Sequence, residues 1–201
     1  MHKSLQVAPL AGIALFFILY VIAAYLYPGG TKFDKTTKGF SMRHNYWCDL
    51  MDHTAYNGEV NPGSTIAIAA TALVCACIGL LCYYFPLVFG VPSPLSWIIQ
   101  WSGIISMTVF LFLFTKWHNQ VILVASPLAG IALFTILIAL FNLQEWPLLY
   151  FAVYCFLLSL ANFIIYQTGW RLSDLPVLQK ILFASIAIWA AMLNILILKK
   201  A

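Results

Sequence analysis

The densest set of reactive side chains in this chain is one ten-residue run, His44-Asn45-Tyr46-Trp47-Cys48-Asp49-Leu50-Met51-Asp52-His53. Imidazole, thiolate and carboxylate groups all bind transition metals. If the run is helical, side chains four apart are neighbours: His44 faces Cys48, Asn45 faces Asp49, and Asp49 faces His53. Two kinds of site follow. Asn45, Trp47, Asp49 and Asp52 combine amide, carboxylate and aromatic surface, and suit a lipid headgroup or small polar ligand at a membrane interface. His44, Asp49, His53 and the distant His118 form a metal set instead, and with it a metal-dependent membrane hydrolase. The chain has no Cys-x-x-Cys pair, no His-Glu-x-x-His and no Gly-x-Ser-x-Gly, so the expectation leans away from an enzyme, and no cofactor is implied. A third reading makes Asp49 and Asp52 tethers, bonded to backbone N–H groups and Arg43, with Tyr46 and Trp47 among lipid headgroups.

The elements around this run are membrane-like. Of the 201 residues, 63% are hydrophobic and 8% charged, and the mean hydropathy is +0.94. Soluble domains are about 45–50% apolar and about 25% charged, so a water-soluble core is excluded. A bilayer core of about 30 Å asks for about 20 apolar residues per helix. Six runs meet that length: 5–27, 64–85, 95–114, 121–141, 146–166 and 177–198. The runs do not alternate as barrel strands do, which leaves an all-α six-transmembrane-helix bundle as a single integral domain. The first run follows His2 and Lys3 and has no convincing cleavage site before Pro28-Gly29-Gly30, so it reads as a retained helix.

The one long connection, 28–63, holds the reactive run. Pro28-Gly29-Gly30 stops the first helix, Asn61-Pro62-Gly63 makes a turn, and Ser64 reads as the cap of the second helix. Between them, Arg43 to Asp52 is expected to form a short interfacial helix. Aromatics near the span ends, among them Tyr25, Tyr27, Trp97, Trp117, Trp146, Tyr166 and Trp170, read as headgroup-level anchors.

Charge carries orientation rather than nucleic-acid binding, since no basic cluster is dense. With six spans both termini share a side, which carries Lys3, Lys199 and Lys200. The other side carries Lys32, Lys35, Lys38, Arg43, Lys116, Arg171 and Lys180. Cys75, Cys77, Cys82 and Cys155 fall inside spans, where cysteine acts as a small apolar residue, and Cys48 is a lone loop thiol. The expected location is a bacterial inner membrane, and the expected partners are membrane lipids.

An echo divides the chain. Pro9 to Phe16 (PLAGIALF) recurs as Pro127 to Phe134, 118 residues later. Two three-helix units of opposite orientation would follow, the architecture of many transporters, with Ser106, Ser159, Asn162 or Asn194 lining a path for a small solute. No ionisable group lies clearly at mid-span, which argues against a proton-coupled carrier. Ala67, Thr71, Cys75 and Gly79 form a small-residue stripe for close helix approach, within the bundle or in a homo-oligomer.

Pro28-Gly29-Gly30, Asn45-Tyr46-Trp47-Cys48-Asp49-Leu50 and Asn61-Pro62-Gly63-Ser64 together resemble the six-span membrane proteins grouped as domain of unknown function 998, whose first loop carries a similar Asn-aromatic-x-Ser-Asp-Leu signature. Cys48 stands where that signature has serine. The resemblance implies the six-span fold and the shared loop, and no reaction. The layout is similar, more distantly, to autophagy-modulator six-span proteins, and more loosely to alkaline ceramidases, whose late-span histidine pair this chain lacks.

Overall fold

The structure is a computed structural model that describes residues 3–200, with side chains described from Val7 to Lys200; His2 lies outside the described residues, and of Lys3 only the backbone is described. The described residues form six α-helices: α1 Lys3–Leu26, α2 Ser64–Val88, α3 Ser93–Phe110, α4 His118–Asn142, α5 Trp146–Thr168 and α6 Leu175–Lys200. No β-strand occurs among them; two isolated bridges, Gly29 to Lys38 and Thr54 to Val60, are the only sheet-like pairings.

Local chemistry sets the helix ends. Leu26 is the last residue of α1 because Gly29 and Gly30 follow with φ of +145° and +83°. At Gly30 a β-carbon would stand 2.4 Å from the Asn57 amide nitrogen, so only glycine allows the loop to fold back there. Proline in the first turn opens both α3 (Pro94) and α5 (Pro147), where its missing N–H costs nothing. Gly169, with φ of +69°, closes α5 and donates its N–H to the Ile165 carbonyl.

α1, α2, α4, α5 and α6 are each long and apolar enough to cross a membrane. The protein is an all-helical membrane protein. α3 is the exception to the six-span expectation: it ends at Phe110 rather than 114, and 18 residues at about 1.5 Å each reach about 27 Å. Gln100 and four serines, Ser93, Ser96, Ser102 and Ser106, dilute its hydropathy. The other spans match the sequence reading to within three residues at each end.

Each helix packs on its chain neighbours, and α6 closes the ring against α1 while also touching α2. The tightest approaches use glycine. A β-carbon on Gly12 of α1 would lie 2.2 Å from Cys77 Sγ on α2, and one on Gly103 of α3 would lie 2.5 Å from Cys82 Sγ. Gly130, which echoes Gly12, meets nothing within 4 Å, and Pro127 is exposed where Pro9 is buried. The echoed residues therefore have different surroundings in α1 and α4.

Gly63 seats the start of α2 against α1, where an added β-carbon would be 2.7 Å from the Ala23 carbonyl oxygen. Gly63→Ala is expected to destabilise the bundle by about 1–3 kcal/mol, the usual range for overpacking against backbone. Gly130→Ala is the control, neutral or slightly stabilising through helix propensity. Thermal unfolding in detergent reads both, and equal midpoints would remove this account of the α1–α2 seam.

Candidate functional site

The 36-residue loop 28–63 is folded as a cap over one end of the bundle. Its chain turns back at Gly29-Gly30, where Gly30 N–H donates to the Thr37 carbonyl (2.8 Å) and Gly39 N–H to the Pro28 carbonyl (3.0 Å). Thr31 Oγ1 and Asp34 Oδ1 then accept from the backbone N–H groups of Asp34 (2.9 Å) and Thr36 (2.8 Å), which holds the outer turn.

Two buried asparagines organise the interior. Asn45 has no exposed surface. Its Nδ2 donates to the Gly30 carbonyl and to Asp49 Oδ2, both at 3.0 Å, and its Oδ1 accepts from Ser41 N–H at 2.9 Å. Asp49 Oδ2 also accepts from Tyr46 N–H at 2.8 Å. Asn61 donates to the Leu50 and Asp52 carbonyls at 3.0 and 2.9 Å and accepts from Gly63 N–H at 3.0 Å, tying the cap to the start of α2. Buried polar groups are retained when hydrogen-bonded, and these are.

The expected α-helix over 43–52 is a single 3-10 turn, Cys48–Met51. The Asn45–Asp49 contact nevertheless forms, because Asn45 precedes the turn and reaches Asp49 across it. The tethering role foreseen for Asp49 is present, with Asn45 and Tyr46 N–H as partners rather than Arg43. Ser64 does not cap α2: Gly63 holds the cap position, and Ser64 Oγ instead meets His53 Nδ1 at 3.1 Å. Tyr27 is not a headgroup anchor. It is buried, its hydroxyl accepts from Tyr56 N–H at 3.3 Å, and its ring packs edge-on against Phe40.

α6 holds the cap down. The buried Lys180 ammonium donates to the Asn45 carbonyl and, at 3.0 Å, to the Pro176 carbonyl. Gln179 Oε1 accepts from Trp47 N–H at 3.1 Å, and Tyr46 Oη donates to the Leu172 carbonyl at 3.4 Å. Trp47 lies against α1, its ring 4.8 Å from that of Tyr20. Beneath it, Leu50 and Met51 are fully buried, with Thr71 Oγ1 of α2 3.3 Å from the Met51 sulfur.

Burial sets the electrostatics of the cap. It pushes the Asp49 carboxyl up to about 6, against the pull of the Asn45 and Tyr46 hydrogen bonds and, more weakly, of Lys180. Burial likewise raises the Cys48 thiol, so the thiolate that metal binding or nucleophilic attack requires is disfavoured. Asp52 sits at the rim with its side chain exposed; partial desolvation raises it and the nearby His118 and His53 oppose that.

Among the described residues, no three His, Cys, Asp or Glu side chains form a group that could hold a metal ion. The set His44, Asp49, His53 and His118 is thus not brought together: Asp49 is inside the cap, His53 turns to Ser64, and His118 Nδ1 lies 3.3 Å from Asn119 Oδ1. No family model, curated protein or solved structure matches the chain. The site is therefore read from its own chemistry.

That chemistry has a loose end. The indole nitrogen of Trp47, Nδ1 of His44 and Nε2 of His118 are buried at this end of the bundle with no hydrogen-bond partner. Of the polar residues considered for a transport path, Ser159 and Asn162 donate to their own helix one turn back, and Ser106 donates across to the Ala125 carbonyl of α4 at 2.8 Å. The residues that sequence reasoning missed are Lys180, Gln179 and Asn61. A lysine four residues after Pro176 in an otherwise apolar segment was the available signal for the first.

Proposed function

We propose that this protein is a six-crossing integral membrane protein whose capped end binds a lipid headgroup or similar small polar ligand, with Trp47 as the hydrogen-bond donor to it. The observation that carries the reading is the buried, unpartnered Trp47 Nε1. Indole N–H can only donate. Left without an acceptor in a buried position it costs about 1–3 kcal/mol, which a phosphate or ester oxygen arriving from the membrane interface recovers. Its ring packs on Phe16 and Tyr20 of α1 while Gln179 of α6 holds its backbone N–H, which pre-orients the donor.

In this reading Asn45 and Asp49 are the scaffold of the site rather than its contacts, and Asp52 stands at its rim. The sixth crossing is α3. It runs antiparallel along α2, with Gln100 Nε2 donating to the Tyr83 carbonyl at 3.1 Å and Gly103 beside Cys82, and its Ser106 bonds α4. Paired on both flanks, a helix of about 27 Å needs little further length to cross.

Trp47→Phe keeps an aromatic ring against Tyr20 and removes only the N–H. Purified from membranes, the variant is expected to retain several-fold less headgroup-bearing lipid than the wild type, with hydrogen exchange of the cap unchanged. Equal lipid retention by mass spectrometry, with the cap intact, sinks the assignment.

A further inference from the structure

The end of the bundle opposite the cap carries a second feature that the cap site does not use. Between the start of α5 and the end of α6 lies a groove of about 320 Å³, floored by Leu148, Met192, Ile195 and Leu196, with Glu145 and Lys199 at its mouth. That volume falls at the low end of the about 300–1,000 Å³ typical of ligand sites.

The charges at the mouth are unequal in their commitments. Lys200 Nζ is 3.2 Å from Glu145 Oε1 and lies 4.6 Å over the Phe89 ring at the end of α2. Glu145 is thereby neutralised and Lys200 is occupied on two sides. Lys199 is exposed and has no ion-pair partner among the described residues. The mouth thus has one uncommitted positive charge above an apolar floor.

Its depth in the membrane follows from its neighbours. Trp146 is 41% exposed and Tyr150 69% exposed, their rings stacked at 6.4 Å, and Phe141 meets Trp146 edge-on at 5.7 Å. An exposed Trp-Tyr-Phe group at a span end sits at headgroup level. The groove floor, including the 43%-exposed Ile195, then extends from that level into the acyl region.

We infer that this groove binds a glycerophospholipid with a net-anionic headgroup, its phosphate on Lys199 and one acyl chain along Leu148, Met192, Ile195 and Leu196. The pairing of a single free cation with an apolar trough matches such a lipid at both ends. A zwitterionic choline head brings a cation of its own to a mouth whose one carboxylate among the described residues, Glu145, is already paired.

The test uses the full chain in nanodiscs of equimolar phosphatidylglycerol and phosphatidylcholine, each supplied in turn with a photoreactive acyl chain. Wild-type protein is expected to retain phosphatidylglycerol preferentially in native mass spectrometry and to cross-link it at the 192–196 segment. Lys199→Gln, at an exposed terminal turn, is expected to lower that preference about fivefold, the effect of one basic side chain near an anionic lipid surface. Ile195→Trp fills the trough and is expected to abolish the cross-links while α-helical content is unchanged. Absence of a phosphatidylglycerol preference in the wild type, or cross-links and preference unaffected by both variants, overturns the inference. So does an Ile195→Cys disulfide dimer in high yield, because a second copy would then occupy the groove. Trp47→Phe lies at the other end and is expected to leave these cross-links unchanged, so the two sites stand or fall separately.

Discussion

Asn45→Ala is expected to release the cap from the bundle at a cost on the order of 3–5 kcal/mol. The side chain supplies two donors and one acceptor within a fully buried space, to Gly30 O, Asp49 Oδ2 and Ser41 N–H. Alanine cannot replace any of them, and the cavity is ringed by groups that are themselves buried. Each polar group left without its partner costs about 1–3 kcal/mol. The loss is local, because the Lys180 bond goes to the Asn45 backbone carbonyl, which alanine keeps. Hydrogen exchange by mass spectrometry separates the two levels: amides of 28–63 are expected to exchange a hundredfold or more faster, since about 1.4 kcal/mol is a factor of ten. Amides of α3, α4 and α5 are expected to hold their wild-type rates. Unchanged exchange in the cap would show that Asn45 does not organise it.

The same residue marks how far the sequence could be read. Asn45 and Asp49 were legible as partners because a four-residue spacing survives the change from an α-helix to a 3-10 turn flanked by bends. Their role was harder to read, because an amide and a carboxylate at a membrane interface suit a ligand as well as a fold, and burial decides between the two. Asn45 and Asp49 are 0% and 4% exposed, which supports the proposed reading of them as scaffold. The long helices were legible from apolar run length alone, a signal that tertiary packing does not override. α3 was the weakest case for the same reason, since its serines and Gln100 lower the hydropathy that defines a run. Lys180 was counted as a loop-side charge and is instead buried, bonded to the Asn45 carbonyl of the cap and the Pro176 carbonyl of its own helix. Only the fold of a segment 135 residues away supplies the Asn45 carbonyl, and nothing in the local sequence of α6 encodes it.

Acidification is expected to tighten the cap, and Asp49→Asn is expected to abolish most of that response. Burial raises the Asp49 carboxyl to about 6 in the folded protein, from an ordinary 3.8. A carboxyl whose folded value is raised binds its proton more tightly when folded. Its contribution to stability is therefore fully present below about pH 4 and is lost as pH rises through about 6. A difference of about two units corresponds to about 3 kcal/mol across that window. Asp52 is shifted in the same direction but is exposed at the rim, so it leaves a smaller slope of the same sign. Cys48 and Tyr46, both raised by burial, stay neutral throughout this range and contribute nothing to it. Asparagine at 49 can still accept from Asn45 Nδ2 and Tyr46 N–H through its carbonyl oxygen while carrying no charge, so the variant keeps the network and removes the titration. Cap exchange rates in the wild type are expected to rise by about thirtyfold between pH 4.5 and 7.5, after correction for the intrinsic pH dependence of exchange, and those of Asp49→Asn to change by less than tenfold. A wild-type cap whose corrected rates are flat over that range, or that loosens on acidification, would place the ionised carboxylate in a better-solvated or better-paired position. The Lys180 ammonium would then be the group that stabilises it.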